Sequence, residues 1–155
     1  MVIRAKYAHT NLIARDWRRL ARFYVDVLGC VPKLPERNIR GKQLDELTAL
    51  EGAHLAGIHL RLPGLGEDGP TLELFSYDEM LEASLPAVNR PGFAHIAFQV
   101  DDVDTALEAV LAAGGSTVGG PTTFEISEAG TVRVVYARDP EGNILELQQW
   151  RAGML

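Results

Sequence analysis

The sequence has a single cysteine, Cys30, among its 155 residues. One thiol cannot form an internal disulfide, which excludes a disulfide-stabilised secreted scaffold. Positive charge is also scarce, because 15 Lys and Arg residues stand against 21 Asp and Glu residues, for a formal net charge of −6. A chain this acidic lacks the basic surface that attracts phosphates, so we expect no nucleic-acid partner.

Long hydrophobic runs are absent as well. Charged residues interrupt every apolar stretch before it reaches the roughly 18 residues that a membrane helix needs. The residues after Met1 also lack the apolar core of a secretory signal. We therefore expect a cytoplasmic protein without a membrane partner. A hydrophobic content of 46% is nevertheless enough for a folded core, and the length fits one domain or two small fused halves.

The two halves of the chain repeat one pattern. An Ala-His pair begins a predicted strand at His9 and again at His95, and an aspartate follows each strand. Apolar residues at helical spacing come next, and glycine follows each predicted helix, in keeping with capping preferences. Each half also closes on a Leu-Glu-Leu tripeptide, centred on Glu73 and on Glu146. The repetition predicts a duplicated module.

Each half is predicted to fold as a strand, a helix and three strands, in the α+β class. The first module covers 5–77, with strands near 5–14, 31–38, 54–62 and 71–77, a helix near 16–28 and a helical insertion near 41–52. The second covers 92–150, with strands near 93–100, 116–124, 131–138 and 143–149 and a helix near 102–113. A linker over 78–91 contains two prolines, and its first residues, 78–83, could form a short helix.

Alternation along the strands assigns one histidine and one glutamate to the face of each sheet that no helix covers. These residues are His9 and Glu73 in the first half and His95 and Glu146 in the second. A glutamate between two leucines on a half-buried strand must be solvated or paired. Any one of these residues alone would not indicate a metal site. Two imidazoles and two carboxylates at equivalent places favour one divalent metal such as Zn, Ni, Co, Mn or Fe(II).

Further side chains are predicted to line a substrate pocket: Asn11, Ile13, His59, Arg61, Phe75, Tyr77, Gln99 and Trp150. Arg61 is suited to a substrate carboxylate or phosphate. His59 has no histidine counterpart in the second half, where Tyr136 falls near the same place, and it is interpreted as a pocket wall. His54 is interpreted as a surface residue. Cys30 lies at a helix end where no positive dipole lowers its pKa, so we do not expect a nucleophile.

The sequence resembles the vicinal oxygen chelate superfamily, which includes glyoxalases, bleomycin-resistance proteins and extradiol dioxygenases. The matching stretches are residues 8–16, 23–29, 92–98 and 139–147, and the resemblance covers about residues 5–150. It implies one domain over 1–155, in which two βαβββ modules form an incomplete mixed β-barrel around a metal, and it implies a homodimer. His9, Glu73, His95 and Glu146 match the family's ligand positions. Whether the site is built within one chain or across two stays open.

A glutamate at the second ligand position is similar to glyoxalase I, so the resemblance implies a metal-dependent lyase or isomerase acting on a small oxygenated substrate. The metal would polarise a carbonyl and stabilise the enediolate that forms when a neighbouring C–H proton leaves. Glu146 or Glu73 would act as general base, and we favour Glu146. Glyoxalase I has arginine and asparagine, which help to hold glutathione, where this chain has Ile13 and Tyr77. The substrate therefore stays unassigned.

The sequence leaves two alternative functions open. Two histidines and one glutamate could bind Fe(II) in an extradiol-type dioxygenase, although such enzymes usually carry more modules than 155 residues provide. A metal-free protein that sequesters an apolar or cationic drug could use the same fold, although such binders generally lack the four ligands. Stoichiometric metal would separate both enzymes from the binder, and oxygen uptake with a catechol would separate the two enzymes.

Overall fold

The computed structural model describes residues 2–151. The chain forms two compact units, Met1–Glu82 and Ala83–Leu155, each built on one sheet and described here by itself. The boundary falls within 78–91, and no helix forms at 78–83, contrary to the expectation from the sequence. A six-residue helix without packing partners does not recover the cost of its first turn. Among the described residues, no helix has the length and apolar character of a membrane span.

The described residues of the first unit form four strands and two helices. They are β1 (His9–Ile13), α1 (Trp17–Leu28), β2 (Val31–Arg40), α2 (Lys42–Thr48), β3 (His54–Arg61) and β4 (Thr71–Tyr77). The strand order is β1-β4-β3-β2, with β1 parallel to β4 and the other pairs antiparallel. Helix α2 lies within the segment 41–52, where the sequence predicts a helical insertion.

Helix α1 starts and stops where its sequence predicts. The Asp16 side chain accepts a hydrogen bond from the Arg19 backbone N–H at 3.0 Å, which caps the first turn. Gly29 ends the helix in the left-handed conformation, with φ of 69°. The buried face of the helix, which includes Leu20 and Tyr24, packs against β3 and β4. Burial of this apolar face is what holds the helix on the sheet.

The second unit contains five strands and one helix among the described residues. They are β5 (His95–Gln99), α3 (Val103–Ala112), β6 (Ser116–Thr117), β7 (Thr122–Ile126), β8 (Gly130–Arg138) and β9 (Ile144–Arg151). The order is β5-β9-β8-β6, with β7 also paired to β8, and β5 is parallel to β9. Asp102 caps α3 by accepting from the Thr105 backbone N–H at 2.7 Å.

One predicted strand of the second unit is divided in two. The sequence predicts a continuous strand over 116–124, but the chain leaves the sheet after Thr117 and returns at Thr122. Between them lie Gly119, Gly120 and Pro121. Two glycines weaken a strand, and proline has no N–H to donate to a ladder, so this segment cannot continue the pairing with β8.

The predicted alternation of faces is confirmed in both units. Leu72 and Leu74 beside Glu73 are fully buried, and so are Leu145 and Leu147 beside Glu146. The glutamates between them are only partly buried, on the opposite face. The two sheets together with their helices make the fold α+β, as predicted.

Candidate metal site and family membership

Strand pairing brings three chemically active side chains together in the first unit. Glu73 lies on β4, which is hydrogen-bonded to β1 on one side and β3 on the other. His59 on β3 is directly opposite Glu73 in the antiparallel pair, and Asn11 on β1 is opposite Glu73 in the parallel pair. His9 shares the face of Asn11 because it lies two residues earlier. The backbone register alone therefore places two imidazoles beside one carboxylate.

The Glu73 carboxylate is held by three neighbours. Its Oε2 lies 2.7 Å from His59 Nε2. Its Oε1 accepts a hydrogen bond from Asn11 Nδ2 at 2.9 Å and lies 3.5 Å from His9 Nε2. The Glu73 and His59 side chains are 12% and 16% exposed, whereas the His9 side chain is 42% exposed. Asn11 and His59 thus hold the carboxylate on its buried side, and its side next to the more exposed His9 is accessible to a ligand.

His59 is oriented by contacts on both of its ring nitrogens. Its Nδ1 lies 2.9 Å from the hydroxyl oxygen of Thr71, which is buried. Burial lowers the pKa of His59, the Glu73 carboxylate opposes this effect, and Arg37 and Lys33 add to the lowering. The neutral imidazole is favoured as a result, and this is the form of histidine that binds metals.

The donor set of the first unit fits a transition-metal ion. One ligand atom each from His9, His59 and Glu73 lies within 4.8 Å of the others. Imidazole nitrogen and carboxylate oxygen are donors that Zn, Co, Ni, Mn and Fe(II) accept in proteins. The two histidine rings meet edge to face, with centroids 5.4 Å apart, so both can direct a nitrogen to one point.

The second unit has a smaller set at the equivalent place. His95 Nε2 lies 3.2 Å from Glu146 Oε2. Tyr136 on β8 is opposite Glu146, as His59 is opposite Glu73, and its ring centroid is 5.1 Å from that of His95. Partial burial and the Glu146 carboxylate, to which its hydroxyl is hydrogen-bonded, raise the pKa of Tyr136. Its phenol therefore stays protonated as a donor to Glu146.

Several residues predicted to line a pocket have other partners in the structure. Asn11 orients Glu73, as described above. The Arg61 guanidinium donates to Glu67 Oε1 at 2.9 Å. Phe75 and Tyr77 pack against a small apolar cluster of Leu44, Ala53 and Leu55 beside α2. Part of the predicted lining thus has a structural role in the first unit.

The remaining predicted lining residues are open to solvent within their units. Ile13 is 46% exposed and Gln99 is exposed. Trp150 is 39% exposed, and its indole N–H donates to Gln148 Oε1 at 2.7 Å. Their role toward a substrate stays a prediction.

Two further residues, His54 and Cys30, have no role in the site according to the sequence interpretation. His54, interpreted from the sequence as a surface residue, is partly buried, with a side chain 17% exposed. Its Nδ1 lies 2.7 Å from Asp78 Oδ2, and its Nε2 lies 2.8 Å from Asn38 Oδ1. The ring therefore links the start of β3 to Asn38 on β2 and to Asp78 after β4. Cys30 is buried, and burial raises the pKa of its thiol to about 11, in keeping with an unreactive cysteine.

The sequence interpretation gave His59 and Asn11 no part in holding the glutamate. Alternation shows which face a strand residue occupies but not which residue lies opposite it on the next strand. A signal was nevertheless available, since His59 and Tyr136 occupy corresponding places in the repeat. Once the Leu-Glu-Leu strands are paired with the preceding strands, the equivalence puts both residues opposite a glutamate.

A family model described as the Glyoxalase/Bleomycin resistance protein/Dioxygenase superfamily matches residues 6–147. The chain belongs to this superfamily. A protein of Vibrio parahaemolyticus named as a probable lactoylglutathione lyase is 28% identical over 143 residues, which cover 91% of this chain and 88% of the relative.

Solved structures of other superfamily proteins share the fold. A glyoxalase family protein from Bacillus cereus superimposes with a TM-score of 0.75 at 18% identity, covering 97% of this chain and 95% of the other. A glyoxalase/bleomycin resistance protein/dioxygenase domain from Frankia sp. gives a TM-score of 0.59 at 24% identity, covering 99% and 96%. At these identities the likeness establishes the fold alone.

Proposed function

We propose that this superfamily member is a divalent-metal-dependent lyase or isomerase of the glyoxalase I type. The observation that carries the proposal is the convergence of His9, His59 and Glu73, whose ligand atoms lie within 4.8 Å of one another. The name of the Vibrio relative, a probable lactoylglutathione lyase, supports the same reaction type. The ligands that we propose from the resemblance are His9, Glu73, His95 and Glu146.

The two glutamates are proposed to have different roles. A bound divalent ion supplies Lewis-acid polarisation of a substrate carbonyl. Glu146 removes the proton from the carbon next to that carbonyl and returns it to the neighbouring carbon, so the reaction is a net isomerisation. Glu73 is held by Asn11, His59 and His9, and a carboxylate fixed in this way is better suited to hold a metal than to move a proton.

The substrate is proposed to be a small oxygenated compound with an apolar part. Ile13 and Trp150 offer exposed apolar surface on the strands that carry the histidine of the first unit and the glutamate of the second. Neither side chain can hold the charged ends of a tripeptide. Hemithioacetals of methylglyoxal with glutathione and with 2-mercaptoethanol are therefore both needed as probes, because they differ only in the thiol.

Metal content and isomerase activity test the proposal. Untagged full-length protein is expected to contain about one divalent ion per chain, and the Glu73→Ala variant much less. In D₂O, NMR should detect a thioester product from one of the two hemithioacetals, at a rate that a chelator abolishes and added metal restores. Protein that takes up no metal and converts neither hemithioacetal would contradict the proposal.

An extradiol-type dioxygenase is a second candidate because two histidines and one carboxylate are the ligand set of many non-haem Fe(II) oxygenases. His9, His59 and Glu73 provide that set within the first unit. Protein reconstituted with Fe(II) without oxygen and then mixed with catechol and air would consume oxygen in this case. The isomerase proposal expects no oxygen consumption above that of the Glu73→Ala variant.

We further propose, from the family resemblance, that the protein is a homodimer in the cytoplasm and that its ligand is a small molecule. Light scattering on the purified chain measures the assembly directly. A mass of one chain at micromolar concentration would contradict the dimer and leave the metal proposal untouched.

A further inference from the structure

Three cations share the sheet face of His59 in the first unit. Lys33 on β2 is the direct antiparallel partner of His59, and Arg37 on the same strand is the partner of Gly57. Cross-strand partners point to the same face, and Arg61 also lies on it because it follows His59 by two residues. Directly opposed residues have Cβ atoms about 4.5–5.5 Å apart, so the Lys33 side chain starts next to the His59 ring. Positive charge therefore borders the candidate metal site along β2.

Two of these three cations have no carboxylate partner. Arg61 donates to Glu67 at 2.9 Å and is neutralised by it. Within residues 2–151, no Asp or Glu side chain forms an ion pair with Lys33 or Arg37. Lys33 is exposed and Arg37 is partly buried, and each charge is close enough to His59 to lower the pKa of its ring. Lys33 and Arg37 are therefore available to an anion beside the site.

Open space lies next to Lys33. A cavity of about 360 Å³ is lined by Pro32, Lys33, Arg61, Glu67 and Asp68. Its volume is in the range of sites that hold small molecules. Glu67 is occupied by Arg61, and Asp68 is exposed to solvent, which screens its charge. An anionic group can therefore reach the Lys33 ammonium without meeting a buried carboxylate.

The second unit has uncharged residues at the corresponding places. Val118 and Thr122 stand where the first unit has its two unpaired cations, since the Val118 N–H donates to the Tyr136 carbonyl at 3.0 Å and Thr122 pairs with the residue two before Tyr136. Both units share one scaffold, so strand pairing does not require cations at these positions. A chain with a net charge of −6 nevertheless has two unpaired positive charges here, which indicates a role in binding.

We propose that the substrate carries an oxyanion, a carboxylate or a phosphate, which Lys33 and Arg37 bind while the reacting carbonyl lies at the four proposed metal ligands. The inference rests on the proposed function, because it names the substrate class of that same site. Arginine offers a planar pair of donors to an oxyanion and lysine offers a mobile point charge, so the two together fix one end of the substrate. They act as specificity residues, because they orient the substrate and take no part in the proton transfer.

Anion binding by the full-length protein tests the inference without any reaction. The protein is stripped of metal so that the anion cannot bind an ion instead. Inorganic phosphate or acetate is added at constant ionic strength, and the backbone amide resonances of β2 are followed by NMR. We expect saturable shifts at Lys33 and Arg37 with at least one of the two anions, and the tighter-binding anion identifies the group as phosphate or carboxylate.

A double variant, Lys33→Gln with Arg37→Gln, shows whether the two cations cause this binding. It should bind the anion at least about tenfold more weakly, since each lost charge-assisted bond is worth about that factor. Lys42→Gln is the matched control, because Lys42 is a lysine of the same unit whose side chain is 86% exposed on α2. The amide spectrum also shows whether each variant is folded. No saturable shift in the wild type, or an unchanged affinity in the double variant, would overturn the inference.

A matched pair of substrates tests the inference during turnover. The hemithioacetals of methylglyoxal with 3-mercaptopropionate and with 3-mercaptopropionamide differ in charge and scarcely in shape. The zinc-loaded wild type should convert the carboxylate with a kcat/KM about tenfold higher or more, and the double variant should lose this preference. Equal kcat/KM values in the wild type would overturn the inference and leave the isomerase proposal standing. If neither compound reacts, the isomerase proposal fails, and the NMR titration alone decides whether the two cations bind an oxyanion.

Discussion

The two units share a framework of paired strands and a capped helix, but they differ in the side chains that surround their glutamates. Each has a Leu-Glu-Leu strand with fully buried leucines, a parallel neighbouring strand that begins with histidine, and an aspartate-capped helix. The first unit surrounds Glu73 with two imidazoles and an amide, whereas Glu146 in the second contacts one imidazole and one phenol. The shared features all serve packing and strand pairing.

Around the glutamates, the two units differ in the side chains that lie opposite the shared His-Glu pair. Asn11, which donates to Glu73, corresponds to Ala97, which has no polar group to offer Glu146. A duplicated scaffold thus allows one carboxylate to be fixed and the other to have fewer donors. Matched variants in the two units can therefore separate the role of Glu73 from that of Glu146.

The same substitution in the two units should have different consequences. Glu146→Gln removes the proposed base, so we expect the isomerisation rate at saturating zinc to fall by about 10²–10⁴. Glu73→Gln removes a ligand carboxylate, so its activity should fall because the metal is lost, and excess zinc should restore part of it. Rates and zinc content measured together separate the two. Equal zinc loss in both variants would show that the two glutamates have the same role.

Thr71→Val tests whether the hydrogen bond between Thr71 and His59 supports the candidate metal site. Valine keeps the shape of threonine but cannot hydrogen-bond Nδ1, so zinc affinity should fall about 10- to 100-fold. Thr122→Val, at an exposed site on β7, is the control. Unchanged affinity in Thr71→Val would mean that packing alone orients the His59 ring.

Asn11→Ala should have a smaller effect on zinc binding. It removes one hydrogen bond to a carboxylate that keeps its other partners, so zinc affinity should fall about 10-fold, the lower end for loss of an outer hydrogen bond in a metal site. The reciprocal variant, Ala97→Asn, adds an amide opposite Glu146 and should change zinc affinity less than Asn11→Ala does. A larger effect from Ala97→Asn than from Asn11→Ala would show that the Asn11 amide does not support the ligand carboxylate.

Each unit has an aspartate at the N-cap of its helix, and substitution of these aspartates tests whether the two caps contribute equally to stability. Asp16→Ala and Asp102→Ala each remove the acceptor for one backbone N–H and should lower the free energy of unfolding by about 1 kcal/mol. Urea unfolding followed by circular dichroism measures both. Zinc affinity should not change in either variant, and a large difference between the two would show that the helices are not equivalent supports.

Most of the fold could be predicted because its signals are local. Cap residues, the period of apolar residues and the terminal glycines located α1 and α3 within one or two residues. The exceptions have local causes too: Gly119, Gly120 and Pro121 divide a predicted strand, and the segment at 78–83 is too short to form a helix alone.

The site was less predictable because it depends on register between strands that are distant in sequence. Alternation correctly put Glu73 on the face of β4 opposite the buried Leu72 and Leu74, beside His9 of β1. It could not show that His59 is opposite Glu73, since that relation is set by the pairing of β3 with β4. For the same reason the sequence did not show that the Asn11 amide donates to the Glu73 carboxylate.

The position of a bound zinc ion would show which side chains hold the metal. Crystals of the full-length protein grown with zinc, measured with X-rays at the zinc absorption edge, would give the ion's position from its anomalous signal. We expect one peak per chain, bonded to the proposed ligands His9, Glu73, His95 and Glu146. A fully occupied zinc bound away from these four side chains would contradict the proposed metal site.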